Sequence, residues 1–447
     1  MNATDRIQLS DHFTYRRLFT FVLPTIANMI FLSVYGIVDG LFISNFVGKV
    51  AFAAVNVTYP IFSVLGVFGL MIGTGGSAII GKKLGEKEPE KANEYFSFFV
   101  FVCIVVGIVM AVIGVFILRP AIELIGAEPG MIRYCMVYGL IGMITVPCYM
   151  LQFLFQILFV TAEKPRLGFW ITVITGCANI VLDFLMIVVL HWGVAGASIA
   201  TGISEAIGGI IPLIYFIRPN NSLLRIVRPK ADFRALGRAC YNGMSELVST
   251  VSESVVSMLY NFQLLRLAGS DGVAAFGVME YVTFIFFAIF AGYNMGVQPL
   301  FSFNFGAKNR LEMKNLFRKS LLLMEGGGLA MLAILVIFAK PLVSIFVGYD
   351  AELVEMATHG MRIYALIFIT CGINIFVTGM FTALNNGAVS AFIATVRVVI
   401  CEIGSVMILP IFFGLNGIWF SASVAEAGSI IPVIIFTVVL RKRYGYA

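Results

Sequence analysis

The sequence predicts an all-α polytopic membrane protein, with twelve transmembrane helices in two six-helix parallel repeats. Three observations support this prediction. Of the 447 residues, 60% are hydrophobic and 12% are charged, whereas a soluble domain is about half apolar and about a quarter charged. Apolar runs that are long enough to cross a bilayer recur along the whole chain. The chain also matches itself when it is shifted by 221 residues.

Twelve apolar runs meet the length of about 20 residues that a helix needs to cross the hydrocarbon core. They place spans at 18–46, 52–80, 95–118, 132–160, 167–190, 194–217, 239–265, 272–301, 317–339, 358–383, 388–412 and 416–440. An even number of spans puts both termini on the same side of the membrane. The polar stretches between the spans are too short for a soluble domain.

Basic residues set the orientation. Of the 30 Lys and Arg residues, 23 fall in the N-terminal segment, the even-numbered loops and the C-terminus, and 6 fall in the odd-numbered loops. By the positive-inside rule both termini are cytoplasmic, in a multi-pass protein of the plasma membrane. The polar first fifteen residues lack a cleavable signal pattern, so we expect the first helix to act as its own insertion signal. Because the basic residues lie between helices, they do not indicate nucleic-acid binding.

The internal match relates two halves of the chain at a constant offset. Equivalent positions include Gly75 and Gly296, Gly85 and Gly306, Thr161 and Thr382, and Glu205 and Glu426. Each repeat holds six spans, so the halves have the same orientation and are related by an axis along the membrane normal. We therefore expect an N-lobe (1–217), a basic linker (218–238) and a C-lobe (239–447) around a central cleft. This is the plan of alternating-access transporters, and a receptor or channel does not need it.

Cysteine and histidine indicate neither disulfides nor a zinc site. The seven cysteines lie mostly in apolar runs without a Cys-x-x-Cys pair, and the three histidines are scattered. We expect no enzymatic activity and no bound cofactor.

Two carboxylates lie inside apolar spans of the first half. Asp39 is about seven residues before the outer end of span one, and Asp183 is equally far from the outer end of span five. At about 1.5 Å per residue, both lie about 10 Å below the outer surface. Asn179 is one turn from Asp183 on the same helix face, and Tyr138 and Thr201 fall at the same depth on spans four and six. A charge at such a depth costs several kcal/mol unless it is neutralised, paired or hydrated.

These five side chains form a candidate cation-coupling site. Two neighbouring carboxylates in a low dielectric cannot both stay ionised cheaply, so the pair takes up a proton or binds a cation. Carboxylate, amide and hydroxyl oxygens suit a hard cation, and Asp39, Asn179 and Asp183 would be the ligands of Na+. The alternative is that both aspartates are protonated packing residues.

The second half does not repeat the acidic pair, because Tyr260 and Gly404 stand at the equivalent positions. Its acids are Glu246 and Glu253 on one face of span seven, Glu280 on span eight and Glu402 on span eleven. The first three could line a path for cationic substrates or form a structural polar network.

Three other residues inside the spans invite interpretation. Arg397 needs a carboxylate partner, for which we expect Glu402 or Glu280. The repeat-related Glu205 and Glu426 favour a structural role. Pro24 removes a backbone hydrogen bond inside span one and predicts a kink, which is either a hinge that moves Asp39 or an inert bend.

These residues resemble a known family. The two six-span repeats, Pro24 and Asp39 on span one and Asn179 with Asp183 on span five are similar to the multidrug and toxic compound extrusion (MATE) transporters. The same is true of the inner loop Gly81-Lys-Lys-Leu-Gly85 and of Gln298-Pro299 followed by Asn304-Phe-Gly306-Ala307. The likeness is strongest to the DNA-damage-inducible, MepA-like branch.

The resemblance implies a cation-coupled multidrug efflux antiporter, driven by H+ or Na+. It would export amphipathic organic cations through the central cleft by alternating access, as a monomer in the lipid bilayer. A lipid-linked oligosaccharide flippase of the same architecture is the alternative. It would need a cationic cavity for pyrophosphate, whereas the spans hold nine acids and Arg397. A major-facilitator carrier also has twelve spans, but the second inner loop lacks the Asp-Arg-x-Gly-Arg-Arg pattern of that family.

Overall fold

The first half of the chain forms six long helices. The protein is described here by a computed structural model of residues 7–125, 129–348 and 350–447, and within these ranges its regular structure is helical. The six helices are α1 (Tyr15–Phe42), α2 (Lys49–Gly85), α3 (Pro89–Ile125), α4 (Pro129–Thr161), α5 (Pro165–Asp183) and α6 (Gly193–Ile217). Two of them continue as π-helix, α1 through Ile43–Val47 and α5 through Phe184–Val189.

The second half is divided into shorter pieces. Its helices are α7 (Phe233–Asn242), α8 (Met244–Gly306), α9 (Arg310–Ile337), α10 (Ala339–Val347), α11 (Ala351–Tyr364), α12 (Cys371–Ala383), α13 (Gly387–Ala394), α14 (Ile403–Phe413) and α15 (Leu415–Tyr444). A 3-10 turn at Ala365–Ile369 joins α11 to α12, and a π-helical segment at Thr395–Glu402 joins α13 to α14. Each of these joined pairs makes one membrane crossing.

Helix α8 contains two crossings. Its 63 residues would span about 95 Å if straight, about three times the hydrocarbon core. Gly269 interrupts it with a backbone that only glycine adopts easily (φ 64°, ψ −152°). The rings of Tyr260 and Phe276 stack 4.7 Å apart, although a straight helix would separate them by about 24 Å. The chain therefore reverses at Gly269.

This reversal confirms the twelve predicted crossings. Eleven helices in the described ranges are long and apolar enough to cross a membrane, and α8 counts twice. The loop expected between 265 and 272 shrinks to the break at Gly269. The seventh span starts later than predicted, because residues 239–242 belong to the short surface helix α7.

Two large hydrophobic cores follow the two halves of the chain, except that part of α1 and two residues of α4, Ile157 and Val160, belong to the core of the second half. One core combines residues of α2 to α7, and the other combines residues of α8 to α15. Leu18, Phe21, Val22 and Ile26, from the first half of α1, belong to the second core. Helix α1 is thus anchored in the second half of the chain, while it carries Asp39 in the first.

The halves meet at the end of the helices where the basic loops lie, which we call the basic face. A Cβ atom on Gly85 would lie 2.0 Å from the carbonyl oxygen of Phe303, and one on Gly306 would lie 2.1 Å from that of Lys82. The offset of 221 residues relates Gly85 to Gly306, and it also relates Lys82 to Phe303. The pseudo-twofold axis of the repeat therefore passes through this seam between α2 and α8, where backbone touches backbone.

An N-terminal strap at residues 7–14 crosses the same face. The Leu9 N–H donates to Glu163 Oε1 at 2.6 Å, next to α5. Four residues on, the Phe13 N–H donates to Glu312 Oε1 at 3.0 Å, and His12 Nδ1 lies 2.6 Å from Glu312 Oε2. The strap therefore connects the two halves. Residues 1–6 of the predicted polar N-terminal segment lie outside the described residues.

The basic linker is fixed to the first half. The N–H groups of Arg225 and Val227 donate to Asn93 Oδ1 and Ser97 Oγ, each at 2.8 Å. Lys230 forms an ion pair with Glu94, which raises the pKa of that ammonium group. These contacts hold the extended linker along α3 until α7 begins.

Candidate functional site

The two aspartates of the first half stand next to changes in helix geometry. Asp39 is four residues before the π-helical end of α1, and Asp183 is the last α-helical residue of α5 before its π-helical segment. Such segments open the helix by one extra residue per turn and are frequent at functional sites. Both aspartates therefore lie where the backbone departs from regular α-helix.

The structure places the two carboxyl groups side by side. Asp183 is fully buried. Apart from this mutual contact, no described residue donates a hydrogen bond to Asp39 Oδ1 or to either carboxyl oxygen of Asp183. Two bare carboxylates would repel each other in this position, so the pair needs a shared proton or a cation.

Asn179, Tyr138 and Thr201 surround the pair. Asn179 lies one turn below Asp183, and its Oδ1 is buried without a partner among the described residues. The buried Tyr138 of α4 lies close to Asp39 and Asp183, and its hydroxyl is beside that of Thr201 on α6. The Ser198 hydroxyl donates to the Tyr138 carbonyl oxygen at 2.8 Å and ties α6 to α4. The structure therefore brings all five predicted residues together.

The donor set fits a proton or a hard cation. The described residues hold no group of three or more His, Cys, Asp and Glu side chains that could bind a metal ion. A cation here would depend on the two carboxylates together with amide and hydroxyl oxygens, and such oxygens are the ligands that hard cations prefer. The buried unpaired oxygens of Asp39, Asn179, Asp183 and Thr201 meet that requirement.

Sequence reasoning missed Glu205 as a member of this cluster. Its side chain lies near the hydroxyl groups of Tyr35, Tyr138 and Tyr149 and near Thr145. Symmetry with Glu426 had suggested a purely structural role. The signal was available in the repeat, because the position equivalent to Arg397 is Gly176. Glu205 therefore lacks the cation that Glu426 has.

Arg397 in the second half is paired with Glu426, not with the predicted Glu402 or Glu280. Arg397 Nε lies 2.7 Å from Glu426 Oε1, and Asn374 Nδ2 donates to Glu426 Oε2 at 2.6 Å. The prediction was wrong because Glu426 comes from α15, which packs on the π-helical segment that carries Arg397. Glu402 remains near Arg397 but makes no such contact.

The other acids of the second half lie on α8. Glu246 and Glu253 are near one another and near Arg397. Glu280 lies near Tyr260 and Tyr364. The side chains of Glu253 and Glu280 are exposed although they lie within apolar spans.

Pro24 lies inside an uninterrupted helix. Helix α1 is α-helical from Tyr15 to Phe42, with Pro24 ten residues from its start. Pro24 lines a small cavity together with Asn28 and Gln156. Space beside the proline is what a bend would need, and the hinge role stays a prediction.

Comparison with known proteins agrees with this architecture. The MatE family model matches the chain twice, at residues 24–185 and 247–408, once in each repeat. A relative named multidrug export protein MepA, from Staphylococcus haemolyticus, is 26% identical over 430 residues, which cover 96% of this chain and 94% of the relative.

Solved structures share the fold at low identity. A MATE in complex with MaL6 has a TM-score of 0.91 at 18% identity, with 99% of both chains covered. A MOP superfamily transporter from Pyrococcus furiosus, described as having a binding pocket of reverse polarity that suggests a different function, has a TM-score of 0.88 at 17% identity, again over 99% of both chains. Fold alone therefore does not distinguish the functions within this architecture. Since the family model matches both repeats and most of the chain, the protein belongs to the MatE family.

Proposed function

We propose that this protein is a proton-coupled antiporter that exports amphipathic organic cations by alternating access between an N-lobe (1–217) and a C-lobe (239–447). The observation that carries the proposal is that the Asp39 and Asp183 carboxyl groups are neighbours, and that Asp39 Oδ1 and both carboxyl oxygens of Asp183 are buried without a donor among the described residues. The multidrug export activity named for the MepA relatives supports the class of substrate.

The carboxyl contact favours H+ over Na+ as the coupling ion. One proton shared between two neighbouring carboxyl groups would relieve their repulsion without any further ligand. Sodium would have to enter between the carboxylates, with Asn179 and Thr201 completing its oxygen ligands. Protonation from the outer side would reduce the negative charge of the pair and favour release of a cationic drug, and deprotonation toward the cytoplasm would reset the site.

The exposed acids of the second half support a cationic substrate. Glu253 lies near the ion pair of Arg397 and Glu426, and a carboxylate that faced lipid would be costly, so we place its exposed side in the central cleft. We propose that Glu246, Glu253 and Glu280 line the substrate path in the central cleft. The oligosaccharide flippase alternative needs positive charge at this place, whereas Arg397 is already paired with Glu426.

The experiment is ethidium transport in proteoliposomes under separately imposed pH and Na+ gradients. We expect a pH gradient to drive transport in the wild type and Asp39→Asn to abolish the response. Glu123→Gln is the matched control, because Glu123 is an exposed acid of the same half, paired with Arg119. Gradient-driven transport that persists in Asp39→Asn would refute the coupling role. Transport driven by Na+ alone would assign the site to sodium, and transport of a lipid-linked sugar without ethidium transport would support the flippase.

We further propose a monomer in the plasma membrane with cytoplasmic termini. One chain contains both lobes and a complete acidic pair. Both termini lie at the basic face, because Phe13 binds Glu312 at the start of α9 and Tyr446 packs 4.9 Å from Phe317 on the same helix. An impermeant thiol reagent should label Ala447→Cys, in a cysteine-free background, in inverted vesicles only.

A further inference from the structure

Besides the aspartates and Thr201, five polar atoms in the first half are buried without a hydrogen-bond partner among the described residues. They extend from the acidic pair toward the basic face. Each of their side chains is more than nine-tenths buried. The atoms are Asn28 Oδ1, Gln152 Oε1, Gln156 Nε2, Thr175 Oγ1 and Asn179 Oδ1. Unpaired buried polar atoms are costly, and ordered water is the usual partner where protein groups provide none.

We call these five side chains, together with Asp183, the polar file. Three members of the polar file lie on one face of α5. Thr175, Asn179 and Asp183 are spaced by four residues, so successive side chains are about 6 Å apart along the helix. Two hydrogen bonds through one water span about 5.6 Å. One water between each pair of neighbours therefore suffices to link Asp183 to Thr175.

Two small cavities continue the file. The first lies between α4, α5 and α6, and its polar lining includes Gln152, Gln156 and Thr175. The second lies between α1, α4, α5 and α8, and it is lined by Asn28, Gln156 and Pro165. Each has room for about one water. Gln156 belongs to both cavities, and Pro165 is the first residue of α5 at the basic face.

We propose that this file of polar groups is a hydrated proton path between the acidic pair and the basic face, inside the N-lobe. The inference rests on the proposed proton coupling and deepens it. In the release step the shared proton passes from the Asp183 carboxyl group to a water, leaving a carboxylate and a hydronium ion, and it then moves along the water file. The amide and hydroxyl groups do not titrate, and they hold the waters in line.

The path suits a proton better than a metal cation. A single file of water-sized spaces offers too few oxygen ligands for Na+, whereas a proton moves between hydrogen-bonded waters without displacing them. The ionisable side chains nearest to the upper end of the path are Asp39, Tyr138, Tyr35 and Glu205. Its lower end meets the basic loop that holds Lys164 and Arg166.

Hydroxyl-radical footprinting tests the hydration directly, because radicals formed from internal water modify adjacent side chains. Met295 lines the second cavity, whereas the similarly buried Met324 and Met331 line neither. We expect oxidation of Met295 to be several-fold faster than that of the two controls, and to fall to their rate in Gln156→Leu. Equal rates for all three methionines in the wild type would overturn the proposal.

A second measurement tests proton transfer. Thr175→Val removes one hydroxyl with little change of shape, and Thr58→Val is the matched control, since the buried Thr58 hydroxyl already donates to Ala54 O at 2.7 Å. In proteoliposomes loaded with a pH dye, we expect Thr175→Val to slow pH-driven ethidium transport about tenfold and to leave equilibrium ethidium binding unchanged. If Asp39→Asn is inactive but Thr175→Val and Gln156→Leu transport at the wild-type rate, the proton path is refuted and the proposed coupling stands. If Asp39→Asn is also active, the proposed coupling itself fails.

Discussion

The seam between α2 and α8 makes a quantitative prediction about the equilibrium between conformations. An alanine at position 85 would place its Cβ 2.0 Å from Phe303 O, whereas ordinary contacts begin at 3.4 Å. The two helices must therefore separate by about 1.4 Å, and overpacking of this kind costs about 1–3 kcal/mol. The cost applies only while the basic face is closed. We expect Gly85→Ala to shift the ratio of closed to open basic face by about 5- to 150-fold.

Because of the repeat, the same prediction can be tested at a second, equivalent glycine. Gly306→Ala meets the equivalent carbonyl, of Lys82, at 2.1 Å, so its effect should match that of Gly85→Ala. The double variant should shift the equilibrium by less than the sum, because one separation of the helices relieves both clashes. Gly277→Ala on α8 is the control, since nothing lies within 4 Å of its Cβ position.

Distances between spin labels on the two halves at the basic face provide the assay. The wild type and Gly277→Ala should give the same distribution, with the short distance dominant. Gly85→Ala and Gly306→Ala should both populate a longer one. If either variant keeps the wild-type distribution and transport rate, the seam does not need glycine and the reasoning is wrong.

Three further predictions concern contacts that fix other parts of the molecule. Glu426→Gln leaves the mostly buried Arg397 with a neutral partner and should destabilise the protein by about 3–5 kcal/mol, which is measured as a lower midpoint of thermal unfolding. Arg119→Ala, which breaks an exposed ion pair, should cost at most about 1 kcal/mol. Equal losses in the two variants would contradict the role of the pair of Arg397 and Glu426. Glu312→Ala removes the acceptor of the Phe13 N–H and the partner of His12, so limited proteolysis should cut residues 7–14 faster, and unchanged cleavage would show that the strap is held elsewhere. Glu253→Gln should raise the KM for ethidium and leave the KM for an uncharged substrate unchanged, and an equal effect on both would exclude a charge-specific role.

The sequence predicted those features that depend on local composition and spacing. The twelve crossings follow from apolar length, and the equal depth of Asp39 and Asp183 follows from counting residues to the ends of their spans. The reversal at Gly269 could not be placed, because a single glycine in the left-handed region replaces the expected polar loop. The partner of Arg397 could not be identified either, since depth places Glu402, Glu280 and Glu426 at comparable levels and only tertiary packing selects α15.

The placement of α1 also escaped sequence reasoning, for a physical reason. Its residues are apolar along most of their length, and apolar periodicity does not show which of two cores a helix joins. The structure buries Leu18 to Ile26 in the second core and leaves Asp39 beside Asp183 of the first. A helix held at one end by one half and at the other end by the other half must respond when the halves move. Pro24 lies within the segment that is held in the second core, so a bend there would shift the rest of α1, with Asp39, relative to that core.

The two repeats have diverged in a way that assigns different tasks to them. The seam is symmetric, because Gly85 and Gly306 make equivalent contacts. The acids are not symmetric. Glu426 is paired with Arg397, whereas the first half has Gly176 at the position equivalent to Arg397, and Asp39 and Asp183 have no acidic counterparts in the second half. Motion needs both halves to fit against each other, and symmetry preserves that fit. Coupling needs a carboxyl group whose charge changes, and a permanent guanidinium partner would prevent that change. In the proposed mechanism, the absence of an arginine equivalent to Arg397 in the first half would leave its acids able to exchange a proton.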